Sequence, residues 1–214
     1  IMAWLKNPLK MKPGTLMPQT PMSDSEAAHA LSELLGGLCK TDDDRAILAA
    51  LCEAVEEVGD EELVFEEGEA ELEPAREPTY RDDVPRSFSD IARSVGALWW
   101  DGGGPMVGYG LLDDGLPEAD DEGFAHLAQE DAETAARIRA AGGAVAAFGF
   151  GQNWSFFDPT RTLANGEKAL AFVSHESVDW EEVTSVDALD YGQILLRLLS
   201  DAMLDTDHVP EMYA

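Results

Sequence analysis

The chain has 214 residues, and its 43 Asp and Glu against 14 Lys and Arg give a formal net charge of −29 at pH 7. Such a charge repels nucleic acid and anionic membranes, so the sequence argues against both as partners and favours basic proteins or cations. The same acid excess is also typical of a surface adapted to solubility or to high salt. Composition alone leaves these two interpretations open.

The two cysteines, Cys39 and Cys52, are scattered along the chain, and neither belongs to a Cys-x-x-Cys motif. This usage is typical of a reducing cytosol and does not indicate a disulfide scaffold. No apolar run approaches the ~18 residues that a membrane-spanning helix needs. The sequence therefore predicts a cytoplasmic protein.

Residues 1–21 contain three lysines and no acid, unlike the rest of the chain. We expect them to be a flexible arm or to precede the natural start, for which Met22 is the better candidate. At the other end, residues 206–214 are predicted to be a tail.

Residues 22–60 have the pattern of a helical hairpin. Ser23 and Glu26 have the capping-box spacing, and Thr41 followed by three aspartates is typical of a second helix start. Apolar residues recur at helical spacing in both segments: Leu31, Leu34, Leu35 and Leu38, then Ile47, Leu48, Leu51, Val55 and Val58. Two helices bury little by themselves, so we expect them to pack on the rest of the chain or on a second copy. A homodimer is therefore compatible with the sequence.

Residues 61–83 are rich in glutamate and contain Pro74 and Pro78. Because like charges repel and resist compaction, we interpret this segment as an acidic linker. A weak alternation of apolar residues leaves a short hairpin open as the alternative: Leu63, Phe65, Ala70 and Leu72.

Residues 84–205 alternate between helix and strand patterns, with Pro85 at the first helix start. The predicted elements are a helix over 85–95, strands over 97–100 and 106–112, a helix over 124–141, strands over 144–150, 154–158 and 170–174, and a helix over 191–203. This order predicts an α+β fold, with a mostly antiparallel sheet flanked by helices and the helical hairpin appended to it.

A Gly-x-Gly pair, Gly149 and Gly151, raises the question of a phosphate-binding loop. Such a loop needs a helix immediately after it, whose N-terminal N–H groups hold the phosphate. Here the strand-like segment "WSFFDP" follows. The sequence therefore predicts a turn between two paired strands and no bound cofactor.

Candidate catalytic and metal-binding groups are weak in this sequence. His175 has polar neighbours, but no Gly-x-Ser-x-Gly motif is present to expose a nucleophile, so we predict no catalytic residue and no enzyme activity. Glu118, Asp120 and Glu122 resemble the start of a calcium loop, but the closing position falls on Gln129. We predict no metal site.

Aromatic residues cluster on or near the predicted strands: Trp99, Trp100, Trp154, Phe156, Phe157 and Trp180. A hydrophobic core is the simpler explanation, and a partner-binding patch is the alternative. Alternation along a strand places Phe156 and Phe157 on opposite faces of the sheet.

Several segments resemble the SUKH superfamily in pattern and order. They are "VPRSFSDIARSVGALWWDGG", "MVGYGLLDD", "AVAAFGFGQNWSFFDP", "KALAFVSHESVDW" and "DALDYGQILLRLLSDAM", which together span roughly residues 84–204. The residues that carry the likeness, and would define the fold, are Pro85, Phe88, Trp99, Trp100, Gly102, Gly149, Gly151, Trp154 and Asp158. The pair Tyr191 and Gly192 departs from the usual aromatic-centred start of the closing helix.

The resemblance implies an α+β domain used mostly by bacterial immunity proteins, which bind and neutralise a cognate toxin, and many such toxins are nucleases. It also occurs in regulatory and scaffold proteins, which is the alternative. A basic toxin would be attracted by the acidic charge. We expect its contact surface in the acidic loop 113–122, at Asp113, Asp114, Glu118, Asp120, Asp121 and Glu122.

Overall fold

A computed structural model describes residues 24–57, 70–73, 75, 77–95, 97–100, 107–108, 131–141, 154–174 and 179–213. These ranges contain both helices and antiparallel strands, which confirms the mixed α+β class.

Two helices lie at the start of the described chain, α1 (Asp24–Gly36) and α2 (Asp42–Glu57), and they pack against each other. Three aspartates occupy the first turn of α2, where their charge complements the positive end of the helix dipole. The leucines Leu31, Leu35, Leu38, Leu48 and Leu51 are buried. Both helices therefore form where their apolar spacing predicts them. Thr41 caps α2 by accepting a hydrogen bond from the Asp44 amide at 3.2 Å, and the predicted cap of α1, Ser23, lies outside the described residues.

The described part of the chain contains three further helices, α3 (Arg86–Asp90), α4 (Ala132–Ala140) and α5 (Tyr191–Leu204), and a 3-10 turn (Ile91–Arg93) extends α3. Asp131 caps α4 by accepting hydrogen bonds from the Glu133 and Thr134 amides. Asp190 and Gln193 form a reciprocal capping box at the start of α5.

Within the described ranges, six strands form two three-stranded antiparallel sheets. The first sheet has the order β1 (Ala70–Glu73), β2 (Ala97–Trp100) and β3 (Val107–Gly108). The second has the order β4 (Trp154–Thr162), β5 (Lys168–Val173) and β6 (Trp180–Glu182). Strand β4 runs beyond the predicted end at residue 158, and β6 was not predicted.

Strand β1 differs from the preferred interpretation of residues 61–83 as a linker. Ala70 to Glu73 pair in register with Trp100 to Ala97, so at these four residues the extended alternative is the one observed. The pairing partner among the described residues is β2, more than twenty residues away in sequence. The predicted hairpin partner was the segment around Leu63 and Phe65. Those two residues lie outside the described ranges.

The second sheet is covered on both faces. Phe157, Leu170 and Phe172 belong to the main core, together with buried residues of α1, α2, α3 and α5. Phe156 and Val173 form a smaller core with Ile138 of α4. The predicted placement of Phe156 and Phe157 on opposite faces is therefore confirmed, and the sheet forms the middle of three layers.

Tyr191 lies at the centre of the main core and is completely buried. Its ring makes edge-on contacts with Phe88 and Phe157, with ring centroids 5.9 and 5.2 Å away. Its hydroxyl donates to the Lys168 carbonyl at 3.0 Å, so the buried polar atom is satisfied. The next residue, Gly192, permits a close approach, because a Cβ there would lie 3.2 Å from Leu38 Cδ2.

A buried carboxylate joins α2 to α5. Asp44 is fully buried, and it accepts hydrogen bonds from Arg197 Nη1 at 2.9 Å and from Gln193 Nε2 at 2.8 Å. It also accepts from the amides of Lys40 and Thr41 at 2.9 and 2.8 Å. Burial acts to raise the pKa of Asp44, but these donors outweigh it and hold the pKa far below its ordinary value.

Replacing Asp44 by Asn is expected to lower the free energy of unfolding by about 3–5 kcal/mol, because the guanidinium of Arg197, whose side chain is only 14 % exposed, would lose its carboxylate. Urea denaturation measures this loss. The matched control is Asp43→Asn, one residue away and exposed, which should change stability by no more than about 0.5 kcal/mol. Equal midpoints for the two variants would contradict the structural role of Asp44.

The same carboxylate should produce a pH dependence of known sign. Its folded pKa lies below the unfolded value of about 4, so its contribution is complete above pH 4 and is lost as the pH falls towards the folded pKa. The stability difference between the wild type and Asp44→Asn should therefore shrink below about pH 4. A difference that stays constant between pH 7 and pH 2 would show that the charge is not responsible.

Candidate functional site

All six contact residues predicted from sequence lie outside the described residues: Asp113, Asp114, Glu118, Asp120, Asp121 and Glu122. The fold-defining glycines Gly102, Gly149 and Gly151 also lie outside them, as does His175. Of the other fold-defining residues, Trp99 and Trp100 lie in β2 and Trp154 begins β4. Pro85 immediately precedes α3, and Phe88 is buried in the main core.

An acidic surface lies at the β6 side of the second sheet. We call it the acidic edge and define it by Asp179, Glu181, Glu182 and Asp187. The first three are exposed, and Asp187 is half-buried. Because Glu181 and Glu182 are adjacent in a strand, they point to opposite faces, so the edge presents negative charge on both sides.

Arg161 connects this edge to the body of the sheet. Its Nη2 atom lies 2.6 Å from Asp187 Oδ1, and its Nε atom lies 3.5 Å from Glu182 Oε2. Arg161 belongs to β4 and lies in the stretch between Asp158 and Thr162, where the register of β4 against β5 shifts. One guanidinium therefore orients two of the four carboxylates of the acidic edge.

The loop after β6 is held by a second carboxylate. Glu211 accepts hydrogen bonds from the Ser185 amide at 3.1 Å, from the Ser185 hydroxyl and from the Thr184 hydroxyl at 3.2 Å. Burial acts to raise the pKa of Glu211, but these hydrogen bonds lower it below its ordinary value. Arg161 therefore holds the carboxylates on either side of the turn that follows β6, and Glu211 holds the residues between them.

The aromatic residues of this region take part in packing. Trp180 of β6 is half-buried and stacks on Phe156, with ring centroids 5.4 Å apart and planes 26° apart. Arg137 of α4 lies over the Trp180 ring, 5.9 Å from its centroid. These contacts favour the core interpretation of Phe156 and Trp180 over the partner-binding one.

Asp158, which sequence reasoning assigned a fold-defining role, has an unusual environment. The side chain is 1 % exposed, and Oδ1 accepts hydrogen bonds from the Thr160 amide at 2.8 Å and its hydroxyl at 2.7 Å. Within the described part of the chain, its Oδ2 atom has no hydrogen-bond partner. Burying an oxygen without a hydrogen-bond partner costs free energy. The Oδ1 atom therefore stabilises the turn through Thr160, whereas burial of the Oδ2 atom destabilises the fold.

Among the residues that the structure describes, no group of three His, Cys, Asp or Glu side chains is placed to hold a metal ion. In those ranges, too, no helix is long and apolar enough to cross a membrane. Comparison with models of known families, with curated proteins and with solved structures finds no match.

The acidic edge was not found by sequence reasoning, which placed the contact surface in loop 113–122. The signal was present in the run "DWEEV", where two acids lie between an aromatic and a β-branched residue. It was too short to be recognised as a strand.

Two substitutions of Asp158 should separate the stabilising effect of its hydrogen bonds to Thr160 from the destabilising effect of burying its Oδ2 atom. Asp158→Asn keeps an acceptor for Thr160 and removes the buried charge, so its free energy of unfolding should equal or exceed that of the wild type. Asp158→Ala also loses both hydrogen bonds and should be less stable by about 1–2 kcal/mol. Thermal unfolding at constant pH measures both variants, and an Asn variant as unstable as the Ala variant would contradict this account.

Proposed function

We propose that this chain is a cytoplasmic, non-enzymatic binding protein of the immunity class, which neutralises a bacterial toxin by covering a basic surface of it. A basic nuclease is the kind of toxin that fits best. In the proposed architecture, residues 84–205 form a SUKH-like α+β domain, and the helical hairpin of residues 22–60 packs against it.

The observation that carries the proposal is an exposed carboxylate surface on a rigid support. The acidic edge lies on a sheet whose two faces are both packed in cores. Arg161 and Glu211 hold its side chains and its following turn by hydrogen bonds. A charged surface that is already ordered loses little conformational entropy when it binds, which favours recognition of a partner.

Long-range charge supports the same mechanism. A net charge of −29 attracts a basic protein before contact and raises the association rate. After the encounter, this chain inhibits the toxin by covering its basic surface. Covering a surface requires complementary shapes and charges and no catalytic group. In this proposal loop 113–122 and the acidic edge are separate candidate contact surfaces.

The alternative is a regulatory or scaffold protein without a toxin partner, whose acids serve solubility or salt adaptation. Exposed acids also occur on α1 and α2, far along the chain from β6: Glu26, Glu33, Asp42, Asp43 and Glu53. Acids on an edge strand can also prevent pairing with other chains. This broad distribution is what a general solubility role would produce.

The direct test is co-expression with the toxin. The immunity proposal expects the gene immediately upstream to encode a large protein with a variable C-terminal toxin domain, and expects this chain to restore growth when that domain is produced. Growth that is not restored, together with no binding between the purified proteins, would overturn the proposal. His175→Ala should protect as well as the wild type, because no catalysis is required.

The contribution of the acidic edge is tested by a charge reversal with a matched control. Glu181→Lys and Glu53→Lys change the net charge equally, and both side chains are exposed. The Glu181 variant should associate with the toxin roughly fivefold more slowly in stopped-flow measurements, whereas the Glu53 variant should stay near the wild-type rate.

Salt should reduce the association rate steeply if charge guides the encounter, since the screening length falls to about 8 Å at physiological ionic strength. Equal rates for the two reversals would remove the acidic edge from the interface. A rate that does not respond to salt would remove charge guidance altogether and favour the solubility role.

A further inference from the structure

The segment after α5 returns across the protein as an ordered strap, which we define as residues 205–213. Asp205, with φ of 53°, ends the helix in the left-handed conformation and turns the chain back. Val209 and Met212 then enter the main core and are 0 % and 1 % exposed. A 3-10 turn (Pro210–Tyr213) ends the segment.

One carboxylate on α5 holds the first half of the strap. Asp201 is 6 % exposed and accepts hydrogen bonds from the Thr206 hydroxyl at 2.7 Å, the His208 amide at 2.8 Å and the Val209 amide at 2.9 Å. All three donors belong to the strap. These hydrogen bonds of Asp201 therefore tie the strap to α5.

A second carboxylate, on the strap itself, holds the turn after β6. Glu211 accepts from Thr184 and Ser185, which are both exposed and form the tip of that turn. The base of the turn is fixed differently. The Val183 amide donates to the Leu170 carbonyl at 3.2 Å, and the Ala164 amide donates to the Asp187 carbonyl at 2.6 Å.

We propose that the strap and the tip at Thr184 and Ser185 open and close together as one unit, hinged at Asp205, while the base of the turn stays attached to the sheet. In the described chain the side-chain hydrogen bonds of the tip end on Glu211, while the Asp187 amide closes the turn by donating to the Thr184 carbonyl at 3.2 Å. Glu211 keeps its position only if Val209 and Met212 remain in the core. Opening this unit releases the tip beside the acidic edge and withdraws two apolar side chains from the core. The inference is independent of whether a toxin binds.

Amide hydrogen exchange at single residues tests this coupling, because each carboxylate can be removed while exchange is read at the other. Asp201→Asn should raise the exchange rate of the Ser185 amide about tenfold, although Asp201 does not contact Ser185. Glu211→Gln should raise the rates of the His208 and Val209 amides by a similar factor, although Glu211 contacts neither. The Val183 amide should exchange at the wild-type rate in both variants.

Two further variants keep the test decisive. Thr206→Ala removes the hydrogen bonds of this hydroxyl to Asp201 and Ser200. It replaces Asp201→Asn if that variant does not fold, with the same direction of change at Ser185. Glu133→Gln, an exposed carboxylate on α4, should leave all of these amides unchanged.

The proposal is overturned if each variant accelerates only the amides that its own carboxylate contacts, since the strap and the tip would then open separately. It is also overturned if Val183 and the amides within α5 accelerate equally, since that pattern reports loss of global stability.

Discussion

The burial of α5 is the constraint on which the rest of the structure depends. Ten of its residues are buried, and they include Gly192, Gln193, Ser200 and Asp201 as well as the apolar ones. A helix buried on nearly all sides must be surrounded by other elements. The main core supplies them, because α1, α2, α3 and the second sheet all contribute to the cluster around α5. The helical pair at residues 24–57 is therefore part of the same core as Tyr191.

Burial of α5 also explains the role of acids inside this acidic protein. Polar groups near a buried helix need hydrogen-bond partners, and carboxylates with several acceptor sites provide them. Asp44 receives donors from α5 and from the loop before α2, and Asp201 receives donors from the strap. Glu167 accepts from the Ser87 amide at 2.7 Å and the Asn165 amide group at 2.8 Å. Part of the acid excess is thus structural, and only the remainder is available to a partner.

Sequence patterns predicted the helices better than the short strands. The helices α2, α3 and α5 have local signals: a run of aspartates before α2, Pro85 before α3 and the apolar spacing of α5. Strands β1 and β6 have four and three residues. Strand β1 is held by β2, which lies more than twenty residues further along the chain, and β6 pairs with the preceding strand β5. A strand that short has too few alternating positions to be recognised, and its partner is set by the fold. The acidic edge was missed for this reason.

Local chemistry is sufficient to specify where these helices begin, which of their faces are apolar, and that Phe156 and Phe157 oppose each other. Spacing and capping depend on residues within one or two turns, so they can be read directly along the chain. Whether a given carboxylate is exposed or buried cannot be predicted from such local patterns. Asp43 and Asp44 are neighbours of identical chemistry, yet one is exposed and the other is fully buried against Arg197. That difference arises from the approach of α5, a contact between residues about 150 positions apart, and only the folded chain brings them together.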